Sequence, residues 1–302
     1  MNRRIFIQTT ATGATGIALG SLFATSCTVE TSKHITILHT NDVHSHIDPL
    51  PKDDPRNPNQ GGVARRAAVV EAIRKENSNT LLFDAGDIFQ GTPYFNFYGG
   101  ELEFKLMSML NYNAATIGNH DFDNGIEGLY AQLPNAGFDL LSANYDFTNT
   151  IMDTHVKLNK VYIVDGVKIG VFGLGIELQG LVSKKHFKET KYLNPIEIAQ
   201  DMSHILKHEK QCDIVICLSH LGYAYRNPEI ISDVLLAKQT ENIDLIIGGH
   251  THTFLDAPEI HINKKGEEML INQVGCYGIH LGRIDFFLDS EKKVATGTSI
   301  LV

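Results

Sequence analysis

A short apolar stretch of the chain runs directly into side chains that bind metals or transfer protons. After the apolar residues 114–117 come Gly118, Asn119, His120 and Asp121. Inside a sheet, each of these polar groups would need its own buried partner. At the carboxyl end of a strand, however, they would face the crevice in which α/β proteins bind their ligands. The pattern therefore predicts a strand at 114–117 and a functional loop directly after it.

Four other apolar segments end in similar clusters. The clusters are Asp42-x-His44, Gly86-Asp87, Ser219-His220 and Gly248-Gly249-His250-Thr251-His252. Imidazole, carboxylate and amide donors suit Zn²⁺, Mn²⁺ or Fe better than Ca²⁺, which prefers a cage of oxygen atoms. Taken singly, each cluster also fits a helix cap, a turn or a hydrogen-bonded core histidine. Because all five follow apolar segments, together they predict one crevice lined by metal ligands.

The spacing of apolar residues predicts the elements that hold these loops. In the first half we expect strands at 34–39, 80–83, 114–117 and 138–143, a helix that begins at 61–62, and helices at 100–111 and 125–135. In the second half we expect a hairpin at 161–172, helices at 195–209 and 228–240, strands at 213–218 and 243–247, and antiparallel strands over 269–302. This order predicts an α/β fold with two packed sheets flanked by helices.

Composition limits the class of partner. The chain of 302 residues is 43% hydrophobic and has a formal net charge of −9. A nucleic-acid polymer needs a basic surface, so this charge argues against a general nucleic-acid binder. A small anionic substrate is still compatible, because bound metal ions can supply local positive charge. The spacing of Cys212, Cys217 and Cys276 indicates neither a disulfide framework nor a zinc finger.

The first 27 residues predict an export signal. Arg3 and Arg4 precede a stretch that has no charged residue until Glu30, and Cys27 lies near the end of this stretch. The pattern resembles a twin-arginine (Tat) signal with a lipoprotein-type cleavage site, after which Cys27 would be lipidated. A cleaved signal without lipid is the alternative, whereas a membrane-spanning helix would need more large apolar residues. We therefore expect an exported lipoprotein in the periplasm or cell envelope.

In chain order the five clusters resemble the D-x-H, GD, GNH[DE], GH and GH-x-H series of the calcineurin-like metallophosphatases. Segments 39–46, 61–65 and 84–93 narrow this resemblance to the N-terminal catalytic domain of the 5′-nucleotidase family, which includes UDP-sugar hydrolases and 2′,3′-cyclic-nucleotide phosphodiesterases. The resemblance implies a four-layer α-β-β-α sandwich, with two mixed sheets flanked by helices. After the signal and a tether at 28–33, it assigns residues 34–302 to a metallophosphatase catalytic domain.

The resemblance also implies a centre with two divalent metal ions, which would be Zn²⁺, Mn²⁺ or Fe. One ion would be held by four side chains: Asp42, His44, Asp87 and His252. The other would be held by Asp87, Asn119, His220 and His250. Asp87 would then bridge the two ions, an arrangement that suits two-metal hydrolysis.

Further roles follow from the same resemblance. His120 would face the phosphoryl group as a catalytic residue, and Asp123 would orient its imidazole. Asp123 could equally cap the helix that follows. Asn41 and Asp84 would hold the metal ligands in place, while Asp121 would shape its loop rather than take part in the reaction.

The resulting hypothesis is an enzyme that hydrolyses nucleotide phosphate esters, as 5′-nucleotidases do, by two-metal activation of water for in-line attack on phosphorus. The first alternative is a phosphodiesterase or pyrophosphatase acting on UDP-sugars or cyclic nucleotides. The second is a metal-binding but inactive subunit of a surface complex. Larger family members continue into a C-terminal domain that binds the nucleobase, and this chain stops at Val302. We therefore expect either a separately encoded nucleotide-binding partner or a less selective phosphoesterase.

Overall fold

The computed structural model describes residues 32–289 and 292–302, so the predicted export signal and Cys27 lie outside the described residues. Within these ranges the strands are, in chain order, β1 (Lys33–Thr40), β2 (Thr80–Asp84), β3 (Ala114–Ala115), β4 (Asp139–Leu140), β5 (Tyr145–Asp146), β6 (Asn159–Val164), β7 (Val167–Leu174), β8 (Lys191–Tyr192), β9 (Ile214–Ser219), β10 (Leu245–Gly248), β11 (Glu259–Ile262), β12 (Glu268–Asn272), β13 (His280–Leu288) and β14 (Lys293–Leu301).

The α-helices of the same ranges lie between these strands. They are α1 (Val63–Glu76), α2 (Pro93–Tyr98), α3 (Glu101–Met109), α4 (Gly125–Gln132), α5 (Lys184–Phe187), α6 (Pro195–His204) and α7 (Asp233–Gln239). A π-helical segment, Ile205–Glu209, continues α6. None of the helices in the described part of the chain has both the length and the apolar character that a membrane crossing requires.

The strands form two six-stranded sheets and one small pair. The first sheet has the order β14-β13-β1-β2-β3-β4, and the second has the order β11-β12-β10-β9-β7-β6. The central strands β1 to β4 run parallel, as do β7, β9, β10 and β12. The antiparallel strands lie at or next to the edges, as β13 and β14 do beside β1. Both sheets are therefore mixed.

Side chains alternate between two kinds of neighbour along the central strands. On β9, Ile216 and Leu218 pack between the two sheets together with Ile37, whereas Cys217 on the opposite face packs against α7 through Leu236. The outer face of the first sheet is covered by α1, α3 and α4 in the same way. This alternation of period two places a helix layer on each outer face. The predicted four-layer α-β-β-α sandwich is confirmed.

Local sequence signals explain several element boundaries. The hairpin between β6 and β7 turns at Asp165 and Gly166, whose φ angles of 49° and 74° are both positive, as a two-residue hairpin turn requires. Ser232 caps α7 by accepting a hydrogen bond from Leu235 N at 3.3 Å. Because this cap directly precedes Asp233, the helix begins at 233, and the predicted start at residue 228 is wrong.

Other predicted elements are shorter or differently paired. The predicted strand 114–117 pairs only at β3, because after Thr116 N donates to Asp84 O the chain turns toward the loop at Gly118. The predicted strand 138–143 forms a regular strand only at β4, and Leu141 adds an isolated parallel bridge to Lys157. The C-terminal strands are not all antiparallel, since β12 runs parallel to β10. Helix α2 and the small pair β5–β8 were not predicted.

Candidate metal centre

Five loops meet at the edge of the sandwich where β1, β2, β3, β9 and β10 end. The side chains from these loops form two groups whose possible ligand atoms all lie within 4.8 Å of one another in each group. The first group consists of Asp42, His44 and His252, and the second of Asp87, His220 and His250. Residues that are more than 200 positions apart in the chain are thus brought together by the packing of the two sheets.

Asp87 lies between the two groups. Its Oδ2 atom is 3.0 Å from His220 Nε2 and 3.8 Å from His44 Nε2, so one carboxylate oxygen faces a histidine of each group. Asp42 Oδ1 lies 3.4 Å from His252 Nε2 and 3.9 Å from His220 Nε2. The arrangement matches what a carboxylate needs in order to contact two neighbouring cations.

Backbone carbonyls set the orientation of two imidazoles. His44 Nδ1 donates to Phe89 O at 3.2 Å, and His220 Nδ1 donates to Ala85 O at 2.7 Å. Each Nε2 lone pair is then directed toward the carboxylates when the ring is neutral, as in many metal sites. His220 is fully buried, and within the described residues its Nε2 makes no hydrogen bond of acceptable geometry despite the nearby Asp87. This unpartnered nitrogen of His220 fits a divalent cation.

Asn119 extends the second group. Its Oδ1 atom lies 2.9 Å from His250 Nδ1. With Asn119 included, the structure brings together all seven side chains that the sequence predicted as metal ligands.

Most of these residues have strained backbones. Five of the seven predicted ligands have positive φ although they are not glycine: Asp42 (49°), His44 (49°), Asp87 (56°), His250 (71°) and His252 (53°). Each such residue costs about 1–3 kcal/mol and persists only where its surroundings hold it in place. Concentration of this strain in one place indicates a functional site rather than ordinary turns.

Asp121 holds the loop after β2 in position. Its Oδ1 atom accepts hydrogen bonds from Ile88 N and Phe89 N at 2.9 and 3.1 Å, and its Oδ2 atom accepts from Gly118 N and Asp87 N at 2.7 and 3.1 Å. It makes these contacts while buried behind Asp87. The geometry therefore agrees with the predicted role of Asp121 in shaping the loops.

Gly118 permits the closest approach at the site. A Cβ atom at this position would overlap the Asp87 carboxylate and would lie 2.5 Å from Asp87 N. Any side chain here would push Asp87 away from the histidines, which explains the glycine before Asn119.

Asn41 and Asp84 contact the loops as supporting residues. Asn41 Nδ2 donates to Asp42 Oδ2 at 2.7 Å, so it orients a predicted ligand directly. Asp84 touches no predicted ligand in this way; its carboxylate accepts from Thr40 Oγ1 at 2.6 Å and from Gly86 N at 2.9 Å. Burial raises the pKa of Asp84 to about 7 against these hydrogen bonds. Asp84 thus stabilises the turn before Asp87.

His120 and Asp123 form a pair at the rim of the site. His120 Nδ1 lies 2.9 Å from Asp123 Oδ2, and the side chains are 39% and 32% exposed. The hydrogen bond to Asp123 raises the pKa of His120, although partial burial opposes it. The His120 ring lies 5.2 Å from the ring of His44, and its backbone N–H donates to Asp87 Oδ1 at 2.7 Å. A substrate could therefore contact His120 and the two groups at the same time.

A family match covers most of the chain. Residues 35–254 match the family model described as calcineurin-like phosphoesterase. The chain belongs to the calcineurin-like phosphoesterase family.

Known relatives confirm the predicted resemblance to 5′-nucleotidases. The chain is 32% identical to the trifunctional nucleotide phosphoesterase protein YfkN of Bacillus subtilis, over 88% of this chain and 19% of YfkN. It is also 32% identical to the snake venom 5′-nucleotidase of Naja atra, over 90% of this chain and 54% of that protein. The structure of a 5′-nucleotidase precursor from Thermus thermophilus has a TM-score of 0.81 at 31% identity, covering 89% of this chain and 55% of that one. The chain thus spans about half the length of these relatives or less.

The carboxylates of the candidate metal centre favour positive charge. Complete burial lowers the pKa of His220. The Asp87 and Asp42 carboxylates outweigh this effect and raise the pKa to about 10. The hydrogen bond to Asp42 likewise raises the pKa of His252 to about 10. Burial lowers the pKa of His250 to about 4. Carboxylates that stabilise a charged imidazole also stabilise a divalent cation in the same place, and the cation would displace the proton.

One residue that organises the candidate metal centre was not predicted. Gln273 is fully buried; its Nε2 donates to Gly249 O at 2.7 Å, and its Oε1 accepts from Thr251 Oγ1 at 3.0 Å. It thereby holds the loop that contains His250 and His252. A signal was available, because Asn272 and Gln273 are polar residues at the end of the apolar strand β12, as at the other loops.

Replacing Asp121 with Asn tests the support beneath Asp87. One of the two acceptor oxygens becomes an amide that cannot accept from the backbone N–H groups, so Asp87 should lose its fixed position. We expect metal affinity to fall about 10–100-fold, as for other residues that support metal ligands. Isothermal titration with Zn²⁺ or Mn²⁺ measures this change, and circular dichroism checks that the fold is retained. Asp153→Asn, on the exposed surface, is the matched control; equal affinity in both variants would contradict the account.

Proposed function

We propose that this calcineurin-like phosphoesterase hydrolyses the phosphate monoester of nucleotides with two divalent cations in the centre described above. The observation that supports this most directly is the position of Asp87 between two histidine groups, with the His120–Asp123 pair beside them. The names of the relatives support the substrate class, since they are nucleotide phosphoesterases and 5′-nucleotidases.

In this proposal each side chain has a defined task. Asp42, His44, Asp87 and His252 would hold one cation. Asp87, Asn119, His220 and His250 would hold the other. When bound, the cations supply Lewis acidity: they lower the pKa of water and offset the negative charge of the phosphoryl group. Donors of this kind suit Zn²⁺, Mn²⁺ or Fe.

His120 and Asp123 would handle a proton at the substrate. Asp123 accepts the hydrogen bond from Nδ1 of His120, which leaves the Nε2–H of the charged ring free to donate to a phosphoryl or leaving oxygen. The raised pKa of His120 favours this charged form. Asp123 would keep the ring in this orientation throughout.

Two alternatives use the same residues. A phosphodiesterase or pyrophosphatase would need the same centre, and the name of YfkN, a trifunctional nucleotide phosphoesterase, does not specify the kind of ester. An inactive metal-binding subunit would need the seven ligands but would have no use for an exposed histidine paired with a carboxylate. The His120–Asp123 pair therefore favours an enzyme.

Phosphate release from a set of esters tests the function. The full-length chain with Mn²⁺ or Zn²⁺ is assayed with AMP, UMP, an aryl phosphate, an aryl diester and UDP-glucose. We expect the highest kcat/KM with the nucleoside monophosphates. His120→Ala should lower kcat about 10²–10⁴-fold with two metals still bound, whereas the surface variant His208→Ala should not.

Other results of this assay would point elsewhere. Faster cleavage of UDP-glucose or the aryl diester than of AMP would favour the first alternative. No turnover with two metals bound per chain would favour the inactive subunit, and full activity of His120→Ala would remove His120 from the mechanism.

We also propose that residues 1–27 direct export to the periplasm or cell envelope and that Cys27 is lipidated. The support is the arginine pair followed by an uncharged stretch that continues past Cys27. Expression in a bacterium with Tat export should place the wild-type chain in the membrane fraction, and Cys27→Ala should release it. If the wild type and Cys27→Ala were present in the membrane fraction to the same extent, the lipid on Cys27 would be contradicted and export without a lipid would be the remaining reading. The separately encoded nucleotide-binding partner stays a prediction.

A further inference from the structure

A small cavity borders the loop that follows β1, which contains the predicted ligands Asp42 and His44. Four residues of this loop line the cavity: Val43, Ser45, His46 and Ile47. We call it the Arg66 cavity and define it by Ser45, Arg66, Asp84, Glu103 and Tyr112. The cavity and the candidate metal centre thus share one loop.

Two charged side chains of the Arg66 cavity are buried without enough partners. Arg66, on α1, is 4% exposed, and Glu103, on α3, is 5% exposed. Within the described ranges 32–289 and 292–302, neither Nε nor Nη1 of Arg66 makes a hydrogen bond, and neither does Oε2 of Glu103. A buried charge is strongly destabilising unless an opposite charge or hydrogen bonds compensate it. A small polar ligand between the two side chains would supply the missing contacts.

The size and charge of the Arg66 cavity limit what this ligand can be. The space open to the centre of a water molecule is about 20 Å³. One water needs roughly 10–15 Å³ of such space and two to four polar partners, so the cavity suits a single water. An anion would be repelled by Glu103, and a cation would be repelled by Arg66. A water is neutral, and it can accept from the guanidinium while it donates to the carboxylate.

Two other polar groups at the cavity already have partners. The Asp84 carboxylate accepts hydrogen bonds from Thr40 Oγ1 at 2.6 Å and from Gly86 N at 2.9 Å. The Tyr112 hydroxyl lies 2.8 Å from Thr40 Oγ1, within hydrogen-bond distance. In the described part of the chain, Glu103 Oε2 is therefore the carboxylate oxygen at the cavity that still needs a donor.

Glu103 connects the cavity to the loop that holds the predicted ligands. Its Oε1 atom accepts a hydrogen bond from Ser45 Oγ, and Ser45 directly follows His44. His44 and Ser45 both have positive φ, 49° and 57°, so the turn is strained and persists only where its surroundings hold it. Thr92 Oγ1 also holds the turn, because it donates to Ser45 O at 2.9 Å. The position of His44 thus depends on contacts that Ser45 makes with α3 and with the residue before α2.

We propose that one ordered water in the Arg66 cavity joins Arg66 to Glu103, and that Glu103, held in this way, positions His44 through Ser45. Glu103 is then a positioning residue of the metal centre, and the water compensates both buried charges. This inference goes beyond the proposed function, because it holds whichever ester the chain hydrolyses. Its tests need no turnover, so a failure of the proposed function would leave them unchanged.

Thermal unfolding of the metal-free full-length chain tests the link between the two charges. Arg66→Met and Glu103→Gln each leave one buried charge without its partner, and we expect each to lower Tm by roughly 5–10 °C. The double variant removes both charges and should have a higher Tm than either single variant.

The matched control is the exposed pair Glu101 and Lys105 on α3, whose side chains are 47% and 53% exposed. Glu101→Gln, Lys105→Met and their double variant should all melt close to the wild type, since exposed ion pairs contribute little. If the losses of Arg66→Met and Glu103→Gln simply add in the double variant, the two charges are not linked and the proposal is wrong.

Isothermal titration of the metal-free chain with Mn²⁺ tests the positioning of His44. Glu103→Gln keeps an acceptor for Ser45, so its affinity should stay within about twofold of the wild type, whereas Glu103→Leu removes the acceptor and should weaken binding roughly tenfold. Adding Arg66→Met to Glu103→Leu should raise Tm but leave Mn²⁺ binding as weak, which separates positioning from stability. Equal Mn²⁺ affinity of Glu103→Gln and Glu103→Leu would show that Glu103 does not position His44.

A high-resolution crystal structure of the wild-type chain tests the water itself. We expect one peak of electron density within about 2.7–3.2 Å of both an Arg66 nitrogen and Glu103 Oε2. A direct contact between the two side chains, or a cavity without such a peak, would overturn the water bridge.

Discussion

The hydrogen bonds that the Asp121 carboxylate accepts from the backbone hold the metal centre together. Four N–H groups, those of Asp87, Ile88, Phe89 and Gly118, point at its two oxygens. Hydrogen bonds to a charged group each contribute about 1.5–3 kcal/mol. That is comparable with the cost of about 1–3 kcal/mol for a left-handed residue such as Asp87. The contacts can therefore offset the strain, and without them Asp87 would not stay between the two histidine groups.

Hydrogen bonds to backbone N–H groups also connect the loops of the two sheets. Asp42, at the end of β1 in the first sheet, accepts a hydrogen bond from His250 N of the second sheet at 3.0 Å. Its own backbone N–H donates to Gly86 O at 2.9 Å, and His44 N donates to Asp87 O at 3.0 Å. Three loops are thus tied to one another before any ligand binds. The site is preorganised because the packing of the sheets and these backbone contacts determine one geometry.

The sequence predicted the parts of this arrangement that depend on local pattern. Apolar segments ending in Asp, Asn and His located the loops, and the Asp165-Gly166 pair located a hairpin. The sequence could not predict where β3 stops. The strand stops at Ala115 because the chain turns after Thr116 to bring Gly118 against Asp87, which is a contact between residues distant in the chain. Nor could the sequence reveal that Asp121 accepts four backbone hydrogen bonds, since most of its partners lie about thirty residues away. Gln273 follows an apolar strand as the other polar clusters do, but its contacts with Gly249 O and Thr251 Oγ1 are known only from the structure.

The central claim is that Asp87 lies between two cations. The positions of bound metals in a crystal test this claim most directly. Crystals of the full-length chain grown with Mn²⁺ or Zn²⁺ would be measured at the absorption edge of the metal. The account predicts two anomalous peaks about 3.5–4 Å apart, one on each side of the Asp87 carboxylate. One peak should lie next to Asp42, His44 and His252. The other peak should lie next to Asn119, His220 and His250. A single peak, or two peaks of which only one contacts Asp87, would contradict the account.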